Sequence, residues 1–457
     1  AVSYTEFLER KAQLASAGGF TPTVIPEHLF DFQKALVAWA VQQGRGALFA
    51  DCGLGKTPME LAWAQNVHQH TGKPVLVLTP LAVGFQIVAE AHKFGHDADL
   101  SRTGRPTAPV TVTNYEQLAK FDPSQFGGVV CDESSILKSF DGVTRAQVTE
   151  FMRRLPYRLL GTATAAPNDW TELGTSSEAL GSLGYTDMLT RFFTNKQRSV
   201  TSRAAFAAGG RDVGWRLKGH AEHPFWRWVA SWARAMRRPS DYGYADDRFQ
   251  LPELDVRETV VSAREPHPDQ LFDTPAFGLH EERAEVRRTL VERCEAAAAA
   301  LGDAERAVAW CHLNDESQLL TKLIPGAVEV TGSDSIEEKE AKLAGFTDGT
   351  IRVLVTKPMI GAWGLNWQHA HRMTYFPSHS YEQWYQAVRR MWRFGQTQPV
   401  RVDVITTEGG RNALANLRRK ADQADRMFTA LVQHMNEARA VSPYNYDHKI
   451  EVPSWAS

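Results

Sequence analysis

Two textures alternate along the chain. Apolar runs of four to six residues, closed by glycine, proline or a polar pair, separate longer stretches in which apolar positions return every three or four residues. The first kind reads as buried strand and the second as helix. Leu29 to Trp39 is an amphipathic helix that leads into the strand ending Ala47-Leu48-Phe49, and Met59, Leu61, Ala62 and Ala64 open the next helix. Val75 to Leu78, Val110 to Thr113, Gly128 to Cys131 and Tyr157 to Leu160 are further strands. Strands alternating with helices over residues 25–185 predict a parallel, doubly wound sheet whose ligands sit at the strand C-termini. A second series, with strands at Ala307 to Cys311, Ala327 to Val330 and Ile351 to Thr356 after a helix from about His280 to Leu301, predicts a second parallel α/β unit.

The fold class is therefore α/β, with two tandem lobes. The expected division is an N-terminal extension (1–24), a first lobe (25–185), a basic and aromatic helical insertion (186–250), a linker (251–289), a second lobe (290–440) and a tail (441–457). At 457 residues there is chain enough for substantial cores, and a net charge of −2 means that any polyanion site is a local patch. No run of eighteen apolar residues exists, and Ala1 to Phe20, with Glu6, Glu9, Arg10 and Lys11, lacks the core of a signal peptide, so the expected location is cytoplasmic. The cysteines, Cys52, Cys131, Cys294 and Cys311, form no Cys-x-x-Cys pair and read as small buried apolar residues.

Candidate chemistry begins at Ala50-Asp51-Cys52-Gly53-Leu54-Gly55-Lys56-Thr57, between strand and helix. Gly53, Leu54 and Gly55 would turn backbone N–H groups toward an anion at a helix N-terminus. Lys56 would reach the β- and γ-phosphates of a nucleotide, and the Thr57 hydroxyl would coordinate Mg²⁺. Pro58 is tolerated in the first helical turn. Gln33, about twenty residues upstream, could read an adenine edge, because an amide both donates and accepts. Asp132-Glu133 at a strand exit supplies one carboxylate to hold Mg²⁺ and a second to deprotonate the attacking water. Thr162 and Thr164, after the next strand, could hydrogen-bond to that pair.

From Lys196 to Arg238 the chain carries ten lysines and arginines against only Asp212 and Glu222, with Trp215, Trp226, Trp228 and Trp232 interleaved. Pro224 to Met236 reads as one helix, with Phe225, Val229, Trp232 and Met236 on an apolar stripe and Arg227, Arg234 and Arg238 along another. A basic stripe beside aromatics suits contact with a nucleic-acid backbone. Near the end of the second unit, Gln386, Arg390 and Arg393 are spaced i, i+4, i+7 on an expected helix, where two arginines could neutralise charge developing on a γ-phosphate.

Together these residues resemble the Swi/Snf-related ATPases of helicase superfamily 2 over residues 29–405. Asp51 to Thr57 looks like motif I, Asp132-Glu133-Ser134-Ser135 like motif II, and Gly161 to Asn168 like motif III. Gly361-Ala362-Trp363-Gly364-Leu365-Asn366 is similar to motif V, and Gln386 to Gln396 to motif VI. Thr79-Pro80-Leu81 and Thr113-Asn114-Tyr115 resemble the DNA-contacting motifs between I and II. The Trp215 to Tyr244 region resembles compact versions carried by bacteriophages and prophages. The departures are Ala50 for the first glycine, Ser134-Ser135 for Ala-His, and Lys339 in place of an arginine.

The resemblance implies two RecA-like lobes that close on ATP and Mg²⁺ and move on DNA, whether duplex, forked or branched, with RNA a lesser expectation. It places Lys56, Asp132, Glu133, Arg390 and Arg393 in catalysis, and Gln33, Gly53 to Thr57, Gly364 and Gln386 around the nucleotide. Thr79, Pro80, Thr113, Asn114, Arg227, Arg234 and Arg238 would meet the nucleic acid. Strand separation, and nucleotide-gated binding within a replication or defence complex, are the alternatives to translocation.

Overall fold

The computed structural model describes residues 18–81, 83–139, 142–166, 169–195, 215–264, 279–361 and 365–439. In the first half, α1 (Asp31–Gln43) leads into β1 (Arg45–Ala50), α2 (Lys56–Thr71), β2 (Val75–Thr79) and α3 (Gly84–Lys93). β3 (Ala98–Leu100), β4 (Val110–Asn114), β5 (Gly128–Cys131) and β6 (Tyr157–Gly161) follow. A short antiparallel pair, β7 (Phe193–Asn195) and β8 (Trp215–Leu217), precedes α4 (Glu222–Trp232) and β9 (Ala233–Met236).

Seven of these strands form one sheet in the order β3-β4-β2-β5-β6-β1-β9, and every pairing is parallel. Side chains alternate across it. Ala47, Phe49, Leu76 and Leu78 enter the core on one face, while Leu48, Ala50, Val75 and Val77 enter the core on the other. Burial on both faces explains why these strands read as continuous apolar runs.

The helix expected through Met236 stops at Trp232. Ala233 to Met236 instead becomes the edge strand, with Ala47 opposite Ala233 and Ala50 opposite Met236. Part of the expected insertion therefore completes the first sheet. The apolar stripe was real, since Phe225, Val229, Trp232 and Met236 are all buried, but four consecutive residues serve helix and strand equally well, and pairing with β1 decided the matter.

The second sheet is built from β10 (Leu254–Val261), β11 (Ala307–Trp310), β12 (Ala327–Val330), β13 (Val353–Thr356), β14 (Arg372–Tyr375) and β15 (Val400–Thr407). Its order is β10-β15-β14-β11-β13-β12, again all parallel. The helix expected from about His280 to Leu301 is two, Leu279–Arg288 and Leu290–Leu301, divided at Thr289. Between β14 and β15 lies α5 (Tyr381–Val388), and the last element among the described residues is the 29-residue α6 (Arg411–Arg439). Two tandem RecA-like lobes result.

α6 belongs to both lobes. Leu414 and Leu417 pack in the core of the second, whereas Met427, Phe428 and Leu431 pack in the core of the first against α4 and β9. An ion pair between Arg237 and Asp425 (2.5 Å) fastens that end.

Candidate nucleotide site

The loop leaving β1 turns on two glycines whose replacement the surroundings forbid. Gly53 has φ +90°, and a Cβ there would lie 2.7 Å from the backbone nitrogen of Phe394 in the second lobe. Gly55, at φ +76° immediately before α2, would place a Cβ 2.3 Å from the Gln33 amide nitrogen. Both conformations belong to the left-handed region that side chains avoid. Lys56 opens α2 and donates to the Ala50 carbonyl (3.1 Å). Burial pulls its ammonium down, but the negative charges around it, Glu133, Asp132 and Glu60 among them, prevail and hold its pKa above the ordinary value.

β6 lies between β1 and β5, so the loops leaving all three strands converge. Asp132 and Glu133 are buried at the end of β5. Burial, reinforced by the neighbouring Glu133, pushes the Asp132 carboxyl up to about 7. Thr79 donates to Asp132 Oδ2 (3.3 Å), and the Tyr115 hydroxyl donates to its backbone carbonyl (2.7 Å). Glu133 adopts φ +51°, alone among the described non-glycine residues in its positive sign, a conformation that costs energy unless its surroundings enforce it. They do so here: Ser134 N donates to Gly161 O (2.8 Å), and long bonds reach Glu133 Oε2 from Thr162 (3.5 Å) and Gln386 (3.4 Å). The expected link to the Asp/Glu pair is thus made by Thr162 alone, since the Thr164 hydroxyl donates to Glu382 instead, and the second lobe joins it through Gln386.

The second lobe reaches the site through α5 and the turns after it. The helix ends at Val388, so Arg390 and Arg393 do not share the expected helical face with Gln386. Consecutive turns, including Arg393 N to Met391 O (3.1 Å) and Gln396 N to Arg393 O (3.0 Å), bring them in instead. Gln396 secures this bend, its amide bonding to Ala370 O (2.9 Å), Met391 O (3.2 Å) and the nitrogens of Thr397 and Gln398 (3.0 Å each).

One cavity of about 80 Å³ collects these groups: Gly53, Gly55, Lys56, Thr57, Asp132 and Glu133 from the first lobe, and Asn366, Arg390 and Arg393 from the second. Arg390 is satisfied, donating to Gln386 O, Gln386 Oε1 and Leu365 O at 2.7–3.0 Å. Arg393 is not. Its Nε is buried without a partner, its only side-chain hydrogen bond among the described residues is long (3.3 Å, to Leu365 O), and burial beside the Arg390 cation pulls its guanidinium down to about 10. A buried guanidinium short of acceptors, facing a lysine, a threonine hydroxyl and two carboxylates, fits a magnesium–polyphosphate. Ligand pockets usually exceed about 300 Å³, so this volume holds a phosphate-sized group, and a whole nucleotide requires the lobes to part somewhat.

Several expected residues stand elsewhere. Gln33 does not line this cavity, because its amide is spent within the protein: Oε1 accepts from Phe30 N (2.9 Å) and Nε2 donates to Leu54 O (2.9 Å), capping α1 and bracing the phosphate loop. Leu54 contributes that carbonyl and a buried side chain. Gln386 is wholly buried between Glu133 and Arg390. Gly364 lies outside the described residues, as do Pro167 and Asn168.

The residues expected to meet nucleic acid are placed as follows. Thr79, Pro80 and Thr113 are buried, with the Thr79 hydroxyl turned to Asp132, and Asn114 caps a short 3₁₀ turn by accepting from Gln117 N (3.1 Å). Arg227, Arg234 and Arg238 share no helical stripe, since only Arg227 is on α4. Arg234, on β9, donates to Ala230 O (2.5 Å) and Ala233 O (2.8 Å) and lies 4.4 Å from the Trp39 ring, so its charge is occupied at home. Arg227 and Arg238 are exposed, the latter 3.7 Å from Asp241.

Sequence reasoning missed Asp51, Glu60, Glu90, Glu382, Tyr385 and Arg389. Glu90 lines the cavity, and Glu60, one turn into α2, is buried with neither carboxylate oxygen bonded. Glu382 accepts from Thr164 (3.2 Å), and Arg389 pairs with Asp51 (2.5 Å). The only signal for these in the sequence was proximity to recognised motifs.

Fold and site define a two-lobed parallel α/β protein with a glycine-turned loop and an acidic strand end at the inter-lobe cleft. No protein-family model matches the sequence, and no curated protein does. Among solved structures, the chain is similar to the SWI2/SNF2 ATPase core of Sulfolobus solfataricus in complex with dsDNA. The likeness has 16% identity and a TM-score of 0.41, covering 91% of this chain and 96% of that one. No helix among the described residues is long and apolar enough to cross a membrane.

Proposed function

We propose that this protein is an ATP-hydrolysing motor, stimulated by DNA, that tracks on duplex or branched DNA. The observation that carries the nucleotide reading is the single cavity lined by Lys56, Thr57, Asp132 and Glu133 from one lobe and Arg390 and Arg393 from the other. DNA as the partner rests on the motif resemblance. Magnesium, when bound, would supply neutralisation of phosphate charge, and Thr57 and Asp132 are the residues that would hold it.

The chain's own residues do the rest. Lys56 holds the terminal phosphates, while Thr57 and Asp132 hold the metal. Glu133, fixed by its backbone and by Thr162 and Gln386, takes the proton of the attacking water at a carboxylate oxygen. Arg393, short of acceptors, and Arg390 beside it meet the charge that develops on the transferring phosphoryl group.

The test is ATP turnover titrated in parallel with blunt duplex, forked DNA, single-stranded DNA and RNA. Duplex or forked DNA should stimulate most, and Lys56→Ala or Glu133→Gln should abolish turnover with DNA binding still measurable. Wild-type rates in either variant overturn the assignments, and indifference to every nucleic acid overturns the motor.

A further inference from the structure

On α5 and the residue that ends it, Glu382, Tyr385, Gln386 and Arg389 fall at i, i+3, i+4 and i+7, and all four face the first lobe. Glu382 meets Thr164, Gln386 meets Glu133, and Tyr385 and Arg389 both meet Asp51. Asp51 is the first residue of the phosphate loop. Its own nitrogen bonds to Met236 O (2.9 Å), and its Oδ1 accepts from the nitrogen of Cys52 (2.6 Å) as well as from the Tyr385 hydroxyl.

Arg389 is fixed as firmly from its side. It lies 4.5 Å from the Trp392 ring and 5.4 Å from the Tyr385 ring, its Nη1 donates to Trp392 O (3.3 Å), and its Nη2 reaches Asp51 Oδ2 at 2.5 Å. Both side chains of the ion pair are 11% exposed, so the charges attract where water screens them little. Cys52 lines the cavity of about 80 Å³, while Asp51 and Arg389 both line a second cavity of about 360 Å³ whose lining also comes from α5 and α6.

We infer that Asp51, Arg389 and Tyr385 form a clamp that holds the second lobe closed on the phosphate loop, so that lobe position and loop position change together. These are positioning residues: none lines the cavity that takes the phosphates. Parting the lobes separates two preformed halves, and restoring them aligns the loop entrance with the bend that carries Arg390 and Arg393. The closure itself is independent of chemistry, whereas its effect on turnover rests on the function proposed above.

The test uses the full chain, carrying fluorophores on cysteines introduced at exposed Glu116 in the first lobe and exposed Lys322 in the second; the four native cysteines are buried. Energy transfer reports the lobe-to-lobe distance, first without nucleotide. R389M and D51N should each shift the closed-to-open ratio at least tenfold toward open, and Y385F should do so two- to fivefold. The swapped pair D51R/R389D should be more closed than either charge-removing variant. In turnover assays R389M should lower kcat tenfold or more, with ATP binding kept within threefold.

Energy transfer unchanged in R389M and D51N, or a swap that is not more closed than both single variants, overturns the clamp. If a single variant fails to fold by circular dichroism, the swap decides: a folded swap supports the pair, and an unfolded one overturns it. A chain that hydrolyses no ATP but opens in R389M defeats the function and leaves the clamp standing. Active enzyme with unmoved distances does the reverse.

Discussion

Arg393→Met should leave the protein as stable as before or more so, and nearly inactive. Methionine keeps most of the length and apolar stem while removing the charge. In the native chain, burial and the adjacent Arg390 cation pull the Arg393 guanidinium well below its ordinary value, to about 10. Because the folded pKa is the lower one, the charged form is disfavoured by folding throughout the neutral range. At about 1.4 kcal/mol per tenfold, holding that charge costs the fold about 3 kcal/mol. That cost is already net of the attraction of Glu90 and Glu133, and the 3.3 Å bond to Leu365 O offsets at most about 1–2 kcal/mol of it.

Removing the cation should then be neutral or stabilise by about 1–2 kcal/mol, read as the midpoint of urea or thermal unfolding. If the guanidinium exists to meet phosphoryl charge in the transition state, kcat should fall about 10³-fold, or about 4 kcal/mol. A stability that drops by 2 kcal/mol or more, or a kcat within fivefold of wild type, would refute the reasoning.

Three further outcomes follow from particular contacts. Gly161→Ala places a Cβ 1.8 Å from Glu60 Oε1 and should destabilise by about 1–3 kcal/mol, with Glu60→Ala restoring part of the loss; urea midpoints of the single and double variants measure this. Gly53→Ala, strained at φ +90° and pressed on Phe394 N, should weaken nucleotide binding at least tenfold, as followed by a fluorescent ATP analogue, and an unchanged affinity would deny that the loop needs this turn. His312, with Nε2 2.9 Å from Phe376 O, has its pKa lowered chiefly by burial, against the opposing pull of Glu316. Its stabilising contribution is complete above about 6.5 and is lost as pH falls from there through the folded value, so second-lobe stability should decline below pH 6.5 and His312→Gln should flatten that decline.

How far the chain could be read unaided depended on whether a feature was local. The convergence of the Gly53–Thr57 loop with Asp132 and Glu133 was legible because both sit at strand ends, and the sheets were legible because both faces are buried. That same double burial hid which way Thr79 and Thr113 point, since a strand apolar on both faces shows no alternation. β9 escaped because four residues set no period of their own. Arg390 and Arg393 were found for a partly mistaken reason: the helix ends before them, and Gln396 holds the bend that brings them to the cavity. The Asp51–Arg389 pair joins positions 338 apart, and no local pattern could have announced it.

α6, at 29 residues and about 1.5 Å per residue, is a rod roughly 43 Å long, seated in the cores of both halves. Such a strut forbids free separation. What it leaves is a swivel about its own axis or a pivot at one seat, so each cycle of opening must return along nearly the path it took. Loosening the Phe428 seat would turn a guided closure into a slack one, and under the proposed function ATP would then be spent without displacement.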